Sequence, residues 1–381
     1  MSFSISDTLQ LSFYFNGVEL PLAPSNIESL LVVSNINASL PTIRIDILDD
    51  KKIFINDFTI VDGSVITIAI GDNLNTSNQE TYDFMVVGMP EKIIASNNVK
   101  YTLYGVLAFP KYWKTVKPYY FQGTSYQALQ NIASLTGLSF SGKITTDSMN
   151  WFGNNYNYAQ LVSYITDYSY VDNYSCMVSF VDVLGRLNLI DCMSLEAKYK
   201  LTNVQNAITV KDTYKYSDIY FINDNGLYNF SYGYKNSLTE YGLTNDLTKS
   251  NETVNLKKNY SEYFNVNSLL YNKAGTVKSD FTPVSLGNCH SNWSKAKYQN
   301  TRIKSLFSTK AEVYFNSKTS IQVGSMVTLD YMNSALNMID NNLAKSWFVE
   351  AKSFGISGQR YTEKLLLSST GFKGLDNSNL T

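Results

Sequence analysis

The sequence predicts a mainly β (α+β) protein in which one β-unit is used twice, and three observations lead there. The string GSVITI at Gly63–Ile68 returns as GSMVTL at Gly324–Leu329. An apolar-aromatic run follows each copy, Phe84–Val87 and Trp347–Val349, starting 21 and 23 residues after its glycine. A Tyr-Thr pair comes next, Tyr101–Thr102 and Tyr361–Thr362, at 38 and 37 residues. Landmarks matched in one order mark an internal repeat, and a repeat constrains architecture before any single element does. The second observation is composition: only 17% of residues are charged, and polarity comes from Asn, Ser, Thr and 29 tyrosines. Tyr and Thr favour strands, and Asn and Ser favour turns. The third is that apolar-polar alternation occupies both ends of the chain, while helical spacing is confined to the middle.

Taken in order, LQLSFYF and VEL flank Asn16-Gly17, a pair suited to a type I′ hairpin because both positions accept positive φ. TIRIDIL (Thr42–Leu48) alternates as a half-buried strand, and SVITIAI, YDFMVVG and VKYTLYGVL follow. Five or six strands before Pro110 are enough for a small barrel or sandwich, with no helix there beyond a short turn near Asn26–Leu31. From Lys111 the period changes. Thr124 or Ser125 caps a helix carrying Tyr126, Leu129, Ile132 and Ala133, and Gly137 stops it. A second helix runs from Tyr158 to about Tyr168. A hairpin then turns at Leu184-Gly185-Arg186. Strand character resumes at NAITVKD (Asn206–Asp212) and DIYFIND (Asp218–Asp224), and again from AEVYFN at 311–316.

The expected domains are a first barrel over 1–110, an α/β insert over 111–200, and a discontinuous second barrel over 201–235 and 305–371. Residues 236–304 form a second, irregular insert packing with the α/β domain, and 372–381 a polar tail. A chain of 381 residues accommodates two or three such units.

Chemistry-bearing patterns are sparse. His290 is the only histidine, beside Cys289 in a polar loop; adjacent side chains on a loop diverge, so a surface histidine is expected rather than a catalytic pair. Asp46, Asp49 and Asp50 could pair for glycoside hydrolysis or hold a hard cation, but Lys51-Lys52 follow directly and a solvated turn is the better reading. PKYWKTVKPYY (Pro110–Tyr120) mixes lysines with aromatics as single-strand nucleic-acid binders do, yet a connector packed between two domains has the same composition and is preferred. Cys176, Cys192 and Cys289 show no CxxC spacing, so neither a disulfide framework nor a zinc site is expected. Phosphate-binding glycine motifs are absent. No catalytic, cofactor-binding or metal residue is therefore assigned, and no enzyme is expected. The N-terminus lacks the basic and apolar regions of a secretory signal, and no stretch of about 18 apolar residues exists, so synthesis in the cytoplasm without membrane insertion is expected.

The order of pieces resembles a known family. TIRIDILDD, DGSVITI, YDFMVVG, KYTLYGVLAFPKYW, GTSYQALQNIASLTGLSF, SCMVSFVDVLGRLNLID and the late block VGSMVTLDY to EKLLLSS are together similar to baseplate hub proteins of contractile-tailed phages, the T-even type and its relatives in contractile injection systems. The resemblance implies two tail-tube-like antiparallel β-barrels per chain and a homotrimer whose six barrels form a pseudo-sixfold ring. It also implies a hexameric tail tube on one side and a trimeric central spike on the other, other baseplate (wedge or tube-initiator) proteins as partners, and DNA only in passage through the channel. The virion tail is then the location. A β-rich receptor- or glycan-binding tail module is the alternative, and a spike-associated hydrolase a third reading. Residues 236–304 match no motif of the family.

Charge adds one expectation. Residues 1–110 hold 12 acidic and 5 basic side chains, net −7; residues 301–371 hold 5 acidic and 8 basic, net +3. In a ring of alternating copies, unlike charge would meet at every contact and help set the register.

Overall fold

The computed structural model describes residues 3–6, 9–22, 24–72, 75–95, 98–203, 211–222, 237–241, 247–250, 279–283, 289–293, 295–297, 299–300, 307, 309–333, 338–339, 346–357 and 360–369. The tail at 372–381, most of the NAITVKD strand and most of 236–304 lie outside them.

The first copy contains β1 (Phe3–Ser6), β2 (Leu9–Phe15), β3 (Val18–Glu19), β4 (Ile27–Asn35), β5 (Thr42–Asp49), the one-turn helix α1 (Ile53–Asn56), β6 (Val65–Asp72), β7 (Asn75–Gly88), β8 (Glu91–Ala95) and β9 (Asn98–Leu107). The insert contains α2 (Pro110–Lys114), β10 (Tyr119–Gly123), α3 (Ser125–Thr136), β11 (Ser139–Gly142), β12 (Met149–Gly153), α4 (Tyr158–Asp167), β13 (Met177–Val181) and β14 (Arg186–Asp191). Then come β15 (Ala197–Thr202), β16 (Thr213–Lys215), β17 (Asp218–Ile222), β18 (Ser237–Tyr241), β19 (Leu247–Ser250), β20 (Ser279–Pro283), β21 (Thr309–Phe315), β22 (Met326–Asp330), β23 (Met332–Asn333), β24 (Met338–Ile339), β25 (Ser346–Ser357) and β26 (Arg360–Ser369).

The repeat is real at the level of backbone hydrogen bonds. Gly63 and Gly324 both take the left-handed conformation, φ 89° and 79°. The Gly63 N–H donates to Val86 O at 2.7 Å, and the Gly324 N–H donates to Val349 O at 2.9 Å. In return the Val86 N–H donates to Ser64 O and the Val349 N–H to Ser325 O. Both copies then bulge one residue later, at Val87 against β9 and at Glu350 against β26. The strand order β4-β5-β9-β7-β6-β2 is answered by β17-β21-β26-β25-β22-β15. One of the three landmarks is out of register, however. Val106 lies opposite Met85 and Ser368 opposite Phe348, so counting back along each strand aligns Tyr101 with Glu363, not with Tyr361.

All twelve of these strands join in one sheet, antiparallel except that β15 runs parallel to both β22 and β16. The two copies meet where β25 pairs with β4. That strand differs from the expected short turn near Asn26–Leu31: only Pro24–Asn26 form a 3-10 turn, and Ile27–Asn35 are extended. Flanked by β5 and β25, β4 carries Leu30-Leu31-Val32-Val33 as a continuous apolar run, a pattern compatible with either helix or strand.

The middle of the chain folds as its caps direct. Thr124 and Gln127 form a reciprocal capping box at the start of α3, and Gly137 closes it at φ 84°. Asn157 and Gln160 do the same for α4. The first copy shares one apolar core with the insert, through Ile45, Phe84, Leu103, Leu129, Trp151 and Leu187. The second copy closes its own around Val313, Phe315, Trp347 and Leu365. The β13–β14 hairpin seats Phe180 over the second copy, where its ring caps the Gly324 turn.

Candidate functional site

The seam between the copies carries a buried polar network. Seven residue pairs join β25 to β4, from Ala351 opposite Asn35 to Ser357 opposite Ser29. Beside it, β26 places Tyr361, Glu363, Leu365 and Leu367 on one buried face, so an acid stands in an apolar phase. Glu363 is fully buried and accepts from the Thr319 N–H at 3.1 Å, the Thr319 hydroxyl and the Tyr361 hydroxyl. Lys352 on β25 reaches it at 3.2 Å and donates to the carbonyls of Thr319 and Ile321 at 3.0 and 2.9 Å. Every polar atom of this buried pair that would otherwise be costly is thus partnered. Burial draws the Lys352 ammonium below its ordinary pKa, with Glu363 opposing the shift. Burial, then the Glu363 charge, raises the Tyr361 phenol.

The network crosses from one copy to the other. Tyr82 of the first copy donates to Glu80, and Lys318 of the second reaches Glu80 at 2.6 Å. Burial would raise the Glu80 carboxyl, but hydrogen bonds from Lys318 and Tyr82 hold it below the usual range. These groups border a cavity of about 390 Å³ that Asp182 and Leu184 of the insert also line.

The residues considered from sequence are dispersed. Asp46 and Asp49 are not in a solvated turn; both are buried on β5. Asp46 accepts from Ser29, Thr102 and Arg44, which together outweigh the effect of burial and lower its pKa. Asp49 caps α1 by accepting from the N–H groups of Ile53 and Phe54, and Asp50 accepts from Asn26. Three partner sets mean three structural jobs. His290 is half-buried rather than on the surface: its Nε2 lies 3.0 Å from Tyr168 O, and burial lowers its pKa. Cys289 packs against the main core. PKYWK folds as α2, with Tyr112 buried and Lys114 over the Trp113 ring at 5.2 Å, as a packed connector would. Among the described residues no group of three or more His, Cys, Asp or Glu is placed to hold a metal ion, and no helix is long and apolar enough to cross a membrane.

Sequence reasoning missed Lys352 and Glu363. The signal was present: in RYTEKLLLSS Tyr361 and Leu365 lie two residues from Glu363 and Leu367 four, so period-two alternation already turned the acid inward.

No protein-family model matches the sequence, and no curated protein is similar to it. Solved structures do match over nearly the whole chain. The tail protein from Neisseria meningitidis MC58 aligns with TM-score 0.60 at 10% identity, covering 95% of this chain and 96% of that one. The 43 kDa tail protein of prophage MuSo2 from Shewanella oneidensis aligns with TM-score 0.60 at 9% identity, covering 95% and 98%. An E. coli component of the type VI secretion system, described as structurally similar to T4 bacteriophage tail proteins gp27 and gp5, aligns with TM-score 0.50 at 8% identity, covering 93% and 76%. The chain has the fold of phage tail proteins.

Proposed function

We propose that the chain is the baseplate hub of a contractile tail: a structural homotrimer whose six β-units form a pseudo-sixfold ring between a hexameric tail tube and a trimeric central spike. The observation that carries this reading is the duplication itself. Two units with the same strand order, the same glycine turn and the same bulge sit side by side in one sheet. Three chains then present six like units, which is what a threefold object needs in order to meet a sixfold one. The whole-length likeness to tail proteins and to a type VI secretion component supports the same setting. In that role the chain is not an enzyme, DNA passes through the ring without being bound, and wedge or tube-initiator proteins contact its rim. The end of the second insert supports its packing with the α/β domain: Asn300, Gln299 and Lys297 all bond to the stretch from Thr166 to Ser175. Light scattering and electron microscopy of the purified full chain test the reading. A trimeric ring is expected; a monomer at tens of micromolar would sink it.

A further inference from the structure

The β4–β25 seam is made from two strand edges, and the repeat supplies both edges a second time. Along the seam Phe354 lies opposite Val32, Gly355 opposite Leu31 and Ile356 opposite Leu30. In the first copy, β8 continues β7 past Pro90 and lies on β9 with Glu91 opposite Tyr101. In the second, Phe354 lies opposite Glu363 on β26. Tyr101 and Glu363 are counterparts, so Glu91 is the counterpart of Phe354. On the other side, Phe221 of β17 lies opposite Ala311 of β21, as Val32 of β4 lies opposite Ile43 of β5. Phe221 is therefore the counterpart of Val32.

Among the described residues β8 pairs only with β9, and β17 only with β21. The β17 edge is apolar as well as open: Tyr220, Phe221 and Ile222 are 59%, 37% and 43% exposed. An edge strand with bare backbone groups and large apolar side chains invites another strand, and proteins cover such edges or charge them. Among the described residues no strand covers this edge of β17, and its one charge, Asp218, stands at its start, away from Tyr220–Ile222.

We propose that β17 of one chain pairs antiparallel with β8 of a second copy of this chain, in the register that β4 and β25 use within the chain. Phe221 then lies opposite Glu91 of the second copy, Tyr220 opposite Lys92 and Ile219 opposite Ile93. The contact joins unlike edges, so each chain offers one of each and the pairing propagates head to tail. It rests on the ring reading and adds to it the two strands, and the register, by which chains join.

Cysteine cross-linking of the full chain tests this. Lys92→Cys and Tyr220→Cys are combined in one chain, beside each single variant and an out-of-register control combining Lys92→Cys with Ile222→Cys. Residues directly opposite on neighbouring strands lie within disulfide reach, whereas a two-residue offset does not. Under mild oxidation the in-register pair is expected to give a ladder of two and three linked chains on a non-reducing gel, lost on reduction. The single variants and the offset pair, which also report any bridging through Cys289, stay at background. If light scattering shows a trimer but the in-register pair links no better than the offset pair, the strand assignment is wrong and the ring reading stands. A monomer that never links overturns both.

Discussion

Lys318 and Glu80 bridge the two copies at 2.6 Å, a basic side chain of the second copy against an acidic one of the first. The opposite net charges of the chain ends thus converge on at least one contact within the monomer. Both side chains are partly exposed, at 35% and 41%, so the pair contributes at most about 1 kcal/mol. A double-mutant cycle with Lys318→Ala and Glu80→Ala, followed by urea denaturation, is expected to show that coupling at low salt. It should fade in about 1 M NaCl, where the screening length is roughly 3 Å.

Lys352→Met leaves the Glu363 carboxylate buried against apolar neighbours. Removing one partner of a buried pair costs about 3–5 kcal/mol, and replacing both with apolar residues restores much of it. Chemical denaturation of Lys352→Met, Glu363→Leu and the double variant is expected to rank the double above either single. A single variant as stable as the parent would mean the pair is not closed as described.

Alkaline pH should weaken the seam. Burial raises the phenols of Tyr82 and Tyr361 above their ordinary pKa of 10.0. The stability they contribute is therefore complete below pH 10 and is lost as pH rises, because the unfolded chain releases those protons first. Lys352 acts in the opposite sense. Its lowered pKa is a penalty at neutral pH that is relieved on the way up to 10.5 and contributes no slope beyond. Between pH 10.5 and about 12 each of these two tyrosines takes away up to about 1.4 kcal/mol per pH unit, on top of the decline from other buried phenols such as Tyr112, Tyr119 and Tyr216. Tyr361→Phe is expected to flatten that decline in a pH series of urea melts.

Gly355→Ala should break the seam sterically. A methyl there runs into the Leu30 carbonyl oxygen on β4, a backbone atom that cannot turn aside. Gly88→Ala is the control: nothing lies within 4 Å of a methyl at Gly88, and its counterpart in the second copy is already Ala351. Thermal melts are expected to show a clear drop for Gly355→Ala and none for Gly88→Ala.

Asn300 ties a distant segment to the insert. Its amide nitrogen donates to the carbonyls of Thr166, Asp167 and Ser169 at the end of α4, and its oxygen accepts from the Met177 N–H. Asn300→Ala orphans these buried groups at a cost of about 1–3 kcal/mol. Limited proteolysis should then cut within 289–300 sooner than in the parent, and the stacked Trp293–Tyr168 pair should lose near-ultraviolet dichroism.

Much of this structure was legible where a residue's own backbone demands decide it. Asn16-Gly17 turn at φ 47° and 82°, as a type I′ hairpin requires, and Gly63 and Gly324 reveal the repeat because their turns need positive φ. The capping residues Thr124 and Asn157 set the starts of their helices by local hydrogen bonds alone. What depended on distant partners was not legible. The apolar run in β4 has no single period, since strands flank it on both sides. Tyr101 and Tyr361 looked equivalent by spacing, but the intervening turns differ in length and only the cross-strand partners expose the two-residue offset. Asp46 and Asp49 read as a turn because nothing local announces Ser29, Thr102 or the α1 N–H groups as their partners.

The parallel run of β15 beside β22, against the antiparallel run of β2 beside β6, bears on what can grip such a ring. Five strands of each unit run alike and the sixth is reversed in the second copy, so in the proposed ring that strand would reverse from one unit to the next. A partner that touches only the common strands sees an identical handhold at every step. A partner that binds the reversing strand by its backbone finds the right direction at every second step and is rejected between. In the proposed ring, one strand's polarity would be enough to turn an even rim into one that admits only three.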